Sequence, residues 1–318
     1  LRRAGVPVTL FEAGGYPRHR VCGEFIAGLE KATVDALGIG PQLADAVPHD
    51  SVTYFVRGRA LPPFRLPGTA WGISRHALDA RMARAFVEAG GHLLTHTRAP
   101  EDETPPGRIF AAGRRRSGPH WVGLKAHVRG LRLENDFEVH LGERCYVGLS
   151  RTEAGEVNAC GLFAPKAVAG KGLGLLLGYL ESCGLSTLSD RIRAADADPE
   201  SVCVTAASPG DREIRPADRI WIGDACASIA PFTGNGLAMA LQGALVASGP
   251  LAAYASGKAG WAETVRLVGR AQRRRFRRRL LVSSALHPFL LEPRRQALLA
   301  AAASMNLIPF RALHSAVH

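Results

Sequence analysis

The stretch that most constrains this chain runs from Gly223 to Ala244, GDACASIAPFTGNGLAMALQGA. An apolar strand, IWIG, brings Asp224 to its tip, Pro231 with Gly234 and Gly236 turns the backbone, and an apolar helix follows. An acid and a glycine-bracketed Asn235 inside a run that otherwise reads as core imply a strand, a tight turn and a helix whose first amides lack intrahelical partners. Such a helix end favours anionic groups. Glycine at 234 and 236 permits close backbone approach, which a side chain would block. The plainer alternative is an ordinary turn capped by Asn235.

The same region begins an uncharged run, Ala225 to Gly257, that exceeds the roughly 20 residues of a bilayer crossing. Pro231 and Pro250 are expected to cut it, and Thr233, Asn235 and Gln242 make it polar in places, so the reading is a buried helix against a sheet. With 318 residues, 47% of them hydrophobic, the chain can bury a large core as one large or two modest domains. Its six cysteines, Cys22, Cys145, Cys160, Cys183, Cys203 and Cys226, form no CxxC pair, so neither a metal site nor a disulfide framework is indicated and a reducing cytoplasm fits.

Hydrophobic patterning gives a strand, VPVTLFEA, ending at Glu12, and a loop holding YPRHRVCGE. A helix-like AGLEKATVDALGI, a hairpin pattern over 51–64 and a helix from Arg75 to about Ala89 follow, the last stopped by Gly90 and Gly91. Residues 121–164 then read as four short antiparallel strands, 166–194 as helical, and SVCVTAAS and RIWIGDA as strands again. Parallel-type strands at both ends around an antiparallel middle imply an α/β fold with an α+β insertion.

A strand that ends in an acid suits a ribose, because the carboxylate at the carboxyl edge of a parallel sheet accepts from both sugar hydroxyls. Glu12 has that placement. Asp224 has it on the second strand, where it can bond a polyol chain.

The 223–244 string resembles the second flavin-binding motif of FAD-dependent oxidoreductases of the geranylgeranyl reductase and aromatic hydroxylase superfamily (the p-hydroxybenzoate hydroxylase-like enzymes). FEAGGYPRHRVCGE is similar to the segment after their first β-α-β turn, and GISRHALDARMARAF to an element whose arginine contacts the cofactor. The resemblance implies a Rossmann-like FAD-binding domain (1–50, 75–118 and 202–256), a substrate domain (51–74 and 119–201) and a basic helical C-terminal region (257–318). It implies that Glu12 takes the adenosine ribose, that Arg20, Cys22 and Gly23 lie along the cofactor, and that Arg75 meets its adenylate and ribityl portion. Asp224 would hold the ribityl or diphosphate region, with Gly236 and Leu237 presenting amides to the isoalloxazine. FAD is the implied cofactor and NAD(P)H the implied reductant. The implied reaction is hydride transfer from reduced flavin to an apolar, isoprenoid or lipid-like substrate; the alternative is monooxygenation of an aromatic or polyketide-like one.

Departures from the pattern qualify this. The GxGxxG fingerprint is absent, because the sequence begins downstream of its place, so a truncated remnant unable to bind FAD is a third reading. Without that strand, two sheet edges are expected to face a slot. AAGRRRSG stands where hydroxylases carry Asp-Gly; Arg114, Arg115 and Arg116 there are a basic turn by default and a phosphate grip for NADPH otherwise. CYVGLSR replaces both the YxWxFP string of reductases and the WxWxIP string of halogenases. No catalytic residue is assigned, since the cofactor carries the electron chemistry. His127 is read as a hydrogen-bonded structural histidine ahead of a proton donor, and Cys22 equally as an inert buried thiol or a reactive one.

The net charge of +12 is densest in RLVGRAQRRRFRRRLL, 266–281. At helical spacing Trp261, Val265, Val268, Gln272, Phe276 and Leu280 form one stripe and most arginines lie elsewhere. A solvated basic face is the first reading and peripheral contact with anionic lipid the second. Nucleic acid is not expected as a partner, because no stacking aromatics interleave the arginines.

Overall fold

A computed structural model describes residues 1–100, 104–114, 121–207, 210, 214–215 and 218–318. In chain order its elements are β1 (Thr9–Phe11), β2 (Phe25–Ile26), α1 (Lys31–Leu37), β3 (Val47–Val56), β4 (Arg59–Ala60), β5 (Phe64–Gly72), α2 (Arg75–Glu88), β6 (His92–Leu94) and β7 (Ile109–Phe110). The middle of the chain forms β8 (Trp121–Arg129), β9 (Phe137–Gly142), β10 (Cys145–Arg151), β11 (Val157–Phe163), α3 (Gly172–Ser182), α4 (Ser186–Arg193) and β12 (Asp196–Ala207). Then come β13 (Ile220–Trp221), α5 (Gly236–Ala255), α6 (Trp261–Leu291), α7 (Pro293–Ser304) and α8 (Phe310–Val317).

One large sheet runs β12-β8-β11-β10-β9-β3-β5-β2, with β4 paired to β3. The four strands expected over 121–164 are antiparallel neighbours, and the hairpin joins them through a parallel pairing of β3 with β9. Two further sheets are parallel pairs, β1 with β6 and β13 with β7. Strand alternation assigns the faces of the large sheet. Leu124, Ala126, Val128, Val147, Leu149, Val157 and Ala159 point to one side, where Leu176, Leu180, Leu188 and Ile192 of α3 and α4 cover them. Lys125, His127, Ser150 and Asn158 therefore point to the other side, toward the loop at 19–24.

The run after Gly236 differs from expectation in one respect. Pro250 does not end the helix but lies inside α5, which continues to Ala255. A proline there lacks one N–H and leaves the Val246 carbonyl without its usual donor, a local loss that the remaining turns and the packing of α5 on α6 outweigh. By length and composition α5 could cross a membrane; a third of its most apolar window is buried in the fold. Its Ala238, Met239, Gln242, Gly243, Ala247 and Leu251 form the buried stripe.

The basic segment lies within the longer α6, and Val265, Val268, Gln272, Phe276 and Leu280 are buried as their spacing predicts. Arg279 departs from the pattern: it is buried, donates to Gln242 Oε1 at 2.7 Å, and burial pulls its guanidinium down to about 10.

Glu138 on β9 is fully buried and accepts from Arg191 Nη1 and pairs with His140 Nε2, each at 2.9 Å. Burial opposes its charge, yet these two partners and the Glu134 amide hold its carboxyl down at about 2 from an ordinary 4.5. A carboxyl depressed on folding stabilises above its unfolded value and loses that contribution as pH falls toward the folded one. Stability is expected to fall between about pH 4.5 and pH 2, and a Glu138→Gln variant should show a flatter acid limb in chemical denaturation.

Candidate functional site

Glu12 follows β1 with its side chain mostly buried, 17% exposed. The Gly14 amide and Arg18 Nη2 both donate to Oε1 at 2.8 Å, Tyr16 Oη donates to Oε2 at 3.2 Å, and Arg20 Nη2 reaches Oε2 at 3.4 Å. Burial raises this carboxyl, but the Gly14 amide and the two guanidinium groups together hold it below its ordinary value. Arg20 also pairs with Asp79, which Arg75 grips with two bonds of 2.7 Å. Arg75 and Asp79 are one helical turn apart on α2, a spacing that meets on one face. Ser74 caps that helix by accepting from the Ala77 amide at 3.0 Å. Glu12, Arg20, Asp79 and Arg75 thus form one bonded chain across β1, the loop and α2, with Cys22 beside Arg75.

Beneath this chain is an ionic cluster buried at Glu24, Lys125 and His127 and reaching the surface at Arg129. Lys125 Nζ donates to Glu24 Oε1 at 2.6 Å, and His127 Nε2 is bonded to Glu24 Oε2 at 2.6 Å. The other His127 nitrogen lies 3.0 Å from Glu156 Oε2, and Arg129 Nε donates to Glu156 Oε1 at 2.8 Å. Burial alone would raise Glu24, but His127 and Lys125 hold it below its ordinary value. Glu24 sits in the left-handed region at φ 51°, and the Arg75 amide donates to its Oε1 at 2.9 Å. Two sheet side chains complete the attachment: Ser150 Oγ donates to the Gly23 carbonyl and Asn158 Nδ2 to the Cys22 carbonyl, at 2.9 and 3.0 Å. His127 is therefore a bonded structural histidine. Cys22 is a half-buried thiol whose pKa desolvation pushes up, which favours the inert reading.

The other predicted residues lie elsewhere. Asp224 stands exposed in a short 3-10 turn after β13, and so on a different parallel pair from Glu12. Gly236 and Leu237 open α5 as expected. Asn235 precedes them, but its side chain makes no capping bond to the helix; Nδ2 instead donates to the Val317 carbonyl at 2.7 Å. The turn is tied to the segment just after β2, where the Ala27 amide donates to the Gly234 carbonyl at 3.0 Å. Arg114 bonds Ser228 Oγ, while Arg115 and Arg116 lie outside the described residues.

At the level of sequence no family model and no curated protein matches the chain. Solved structures do. HpxO of Klebsiella pneumoniae, in a variant complexed with FAD, superposes with a TM-score of 0.75 over 98% of this chain and 97% of that one, at 14% identity. A geranylgeranyl bacteriochlorophyll reductase-like protein from Thermoplasma acidophilum gives 0.74 over 99% and 90%, at 14% identity. PqsL, a probable FAD-dependent monooxygenase from Pseudomonas aeruginosa, gives 0.67 over 94% and 93%, again at 14% identity. This chain has the fold of the FAD-dependent oxidoreductases.

The residues of this flavoenzyme fold are chemically suited to such a group. Arg18 Nε is buried without an acceptor, and Asn235 Oδ1 is buried without a donor. A Cβ built on Gly236 would meet nothing within 4 Å, so the helix start is open to close approach. A guanidinium with a proton to spare suits phosphate or ribose oxygens, and an amide oxygen with a lone pair to spare suits a ring N–H. Reading the sequence missed Arg18, Tyr16 and the pair of Glu24 with Lys125. The i, i+4 spacing of Arg75 and Asp79 was a usable signal. For Lys125 nothing in GLKAHV distinguishes a buried strand face from a solvated one. Among the described residues, no group of three histidine, cysteine or acidic side chains is placed to hold a metal ion.

Proposed function

We propose that this chain is an FAD-dependent oxidoreductase acting on an apolar small molecule. The observation that carries the reading is the pairing of a carboxylate clasped by arginines at the β1 tip with the open glycine turn at the start of α5, on a fold shared with an FAD-complexed protein. When bound, FAD would supply hydride transfer or oxygen activation. The protein's own part is positional. Glu12 would exchange contacts with Arg18 and Tyr16 for the hydroxyls of a ribose, and the freed guanidinium would turn to phosphate oxygens. Arg75, locked by Asp79, would present a fixed face toward the adenylate and ribityl portion, and Asp224 would bond the ribityl or diphosphate region. The Gly236 and Leu237 amides, with the positive end of α5 behind them, would favour negative charge developing beside them.

Reduction of an isoprenoid or lipid-like double bond with NAD(P)H as reductant is the first reading of the chemistry, supported by the likeness of RVCGE to the reductase branch and by the reductase-like neighbour. Monooxygenation of an aromatic or polyketide-like substrate is the second, supported by PqsL, whose structure with 2-aminobenzoylacetate shows that this fold can hold a small aromatic acid. Turnover with NADPH under anaerobic conditions separates them: a reductase forms product and a monooxygenase does not. All six cysteines are free thiols, which supports a reducing compartment.

The test of cofactor binding is direct. Purified protein titrated with FAD should show quenched flavin fluorescence at saturation. Glu12→Gln should weaken that binding by about tenfold, as expected when a charge-assisted bond is lost. A chain that leaves flavin fluorescence unchanged would overturn the reading.

A further inference from the structure

The outward side of α6 changes chemistry along its length. Arg266, Arg270, Arg273, Arg274, Arg277 and Arg278 are exposed, and no acidic residue stands between Glu263 and Glu292. Of these six, Arg266 alone has an ion-pair partner among the described residues, Glu263 at 3.9 Å. Unoffset like charges on one helix face repel one another and favour an anionic partner. Leu281, Ala285 and Phe289 continue the stripe of Arg270, Arg273 and Arg277 at three- and four-residue spacing, and they too are exposed. The outward face is therefore cationic as far as Arg278 and uncharged from Leu281 to Phe289.

A second outward apolar surface comes from α7. Gln296 and Ala303 are buried, and Gln296 Nε2 donates to the Gly142 and Leu290 carbonyls, both at 2.8 Å, which fixes one side of the helix to the sheet and to the end of α6. Leu298, Ala301 and Met305, again three and four residues apart, face outward. Leu298, Met305 and, just after the helix, Leu307 are 65, 68 and 64% exposed, more than any other large hydrophobic residue among those described. Single exposed apolar side chains need no explanation, but three gathered within residues 298–307 mark a contact surface. The two apolar surfaces adjoin, since Arg295 of α7 stands over the Phe289 ring of α6 at 5.5 Å.

We infer that the outward faces of α6 and α7 form a docking surface for an anionic lipid bilayer, on which the arginines meet charged headgroups while Leu298, Met305 and Leu307 enter the acyl boundary. Two other occupants are less complementary. A second copy would bring its own net charge of +12 against the same arginines, and a nucleic acid would pair with the arginines but leave the apolar surface in water. A bilayer offers both an anionic surface and, about 5–10 Å deeper, an apolar layer. The surface is independent of the flavin chemistry. Its test is sedimentation of the full chain with vesicles of phosphatidylcholine alone or with about one-third phosphatidylserine. Binding to the anionic vesicles is expected, at least about tenfold stronger than to the neutral ones. Arg270→Glu with Arg277→Glu should weaken it at least about tenfold, and so should Leu298→Glu with Met305→Glu. Val87→Glu with Val204→Glu makes the same change of charge at exposed apolar positions on α2 and β12, and should leave binding within about twofold, since remote charges are screened. Circular dichroism confirms that each variant is folded, and gel filtration without vesicles reports self-association. Absence of binding to anionic vesicles, equal binding to neutral ones, or equal loss in the Val87 and Val204 pair would overturn the assignment. So would full binding by the Leu298 and Met305 pair, which would reduce the surface to a general grip on polyanions such as DNA. Self-association that the Leu298 and Met305 pair abolishes would assign the face to a second copy and overturn it as well.

Discussion

Replacing Lys125 by methionine should destabilise the fold by about 3–5 kcal/mol, the range found when one member of a buried ion pair is removed. Lys125 and Glu24 are both fully buried, and their contact is 2.6 Å. Deleting the ammonium leaves the Glu24 carboxylate with His127 and the Arg75 amide as its remaining partners. That carboxylate then either stays charged in an apolar surrounding or takes up a proton, and both states lie uphill of the parent. Because Glu24 adopts a left-handed backbone conformation that its side-chain bonds help to hold, the loss should extend to the whole 19–24 loop and loosen Arg20 and Arg75. Urea unfolding followed by circular dichroism measures the effect. The double variant with Glu24→Gln should recover most of the stability, since it removes the unpaired charge. A single variant within about 1 kcal/mol of the parent would show that the cluster does not fasten the loop to the sheet.

The second large effect is expected at Gly234. Its φ is +63°, and a Cβ there would lie 2.5 Å from Phe25 Cδ1. Valine combines the left-handed penalty of a β-branched residue with overpacking against a buried ring, together about 2–5 kcal/mol. The displaced segment is the one whose carbonyl accepts from Ala27 and whose next residues open α5. Gly234→Val should therefore lose flavin binding as well as stability, read together by thermal melts with and without FAD. Gly249 provides the contrast. It lies inside α5 with nothing within 4 Å of a built Cβ, so Gly249→Ala should stabilise by up to about 1 kcal/mol and leave flavin binding intact. If both variants lower flavin affinity alike, general helix damage and not the turn is responsible.

Much of this molecule could be read before any coordinates. Glycine placement and the switch from strand to helical periodicity located the turn at 234–236, since those signals act over a few residues. The same holds for the alternating strands of residues 121–164, for α2 after Ser74, and for the buried stripe of α6. Pro250 misled because a proline's effect depends on what packs around it: an isolated helix would break there, whereas α5 continues. The position of Glu12 at a strand end is legible in the sequence, but its partners are not, because Arg18, Arg20 and Tyr16 reach it through a loop that has no periodicity.

The sequence by itself determined which segments turn, which faces are apolar and which polar residues stand at strand tips, since these follow from backbone sterics and from the spacing of side chains over one or two turns. Only the tertiary structure decided which charges meet. Glu24 and Lys125 are 101 residues apart along the chain, as are no two members of a local motif, and their attraction matters only where the sheet and the loop together exclude water. The end of α8 likewise reaches Thr233 and Asn235 across more than 80 residues. Burial creates both interactions, and burial is a property of the assembled layers.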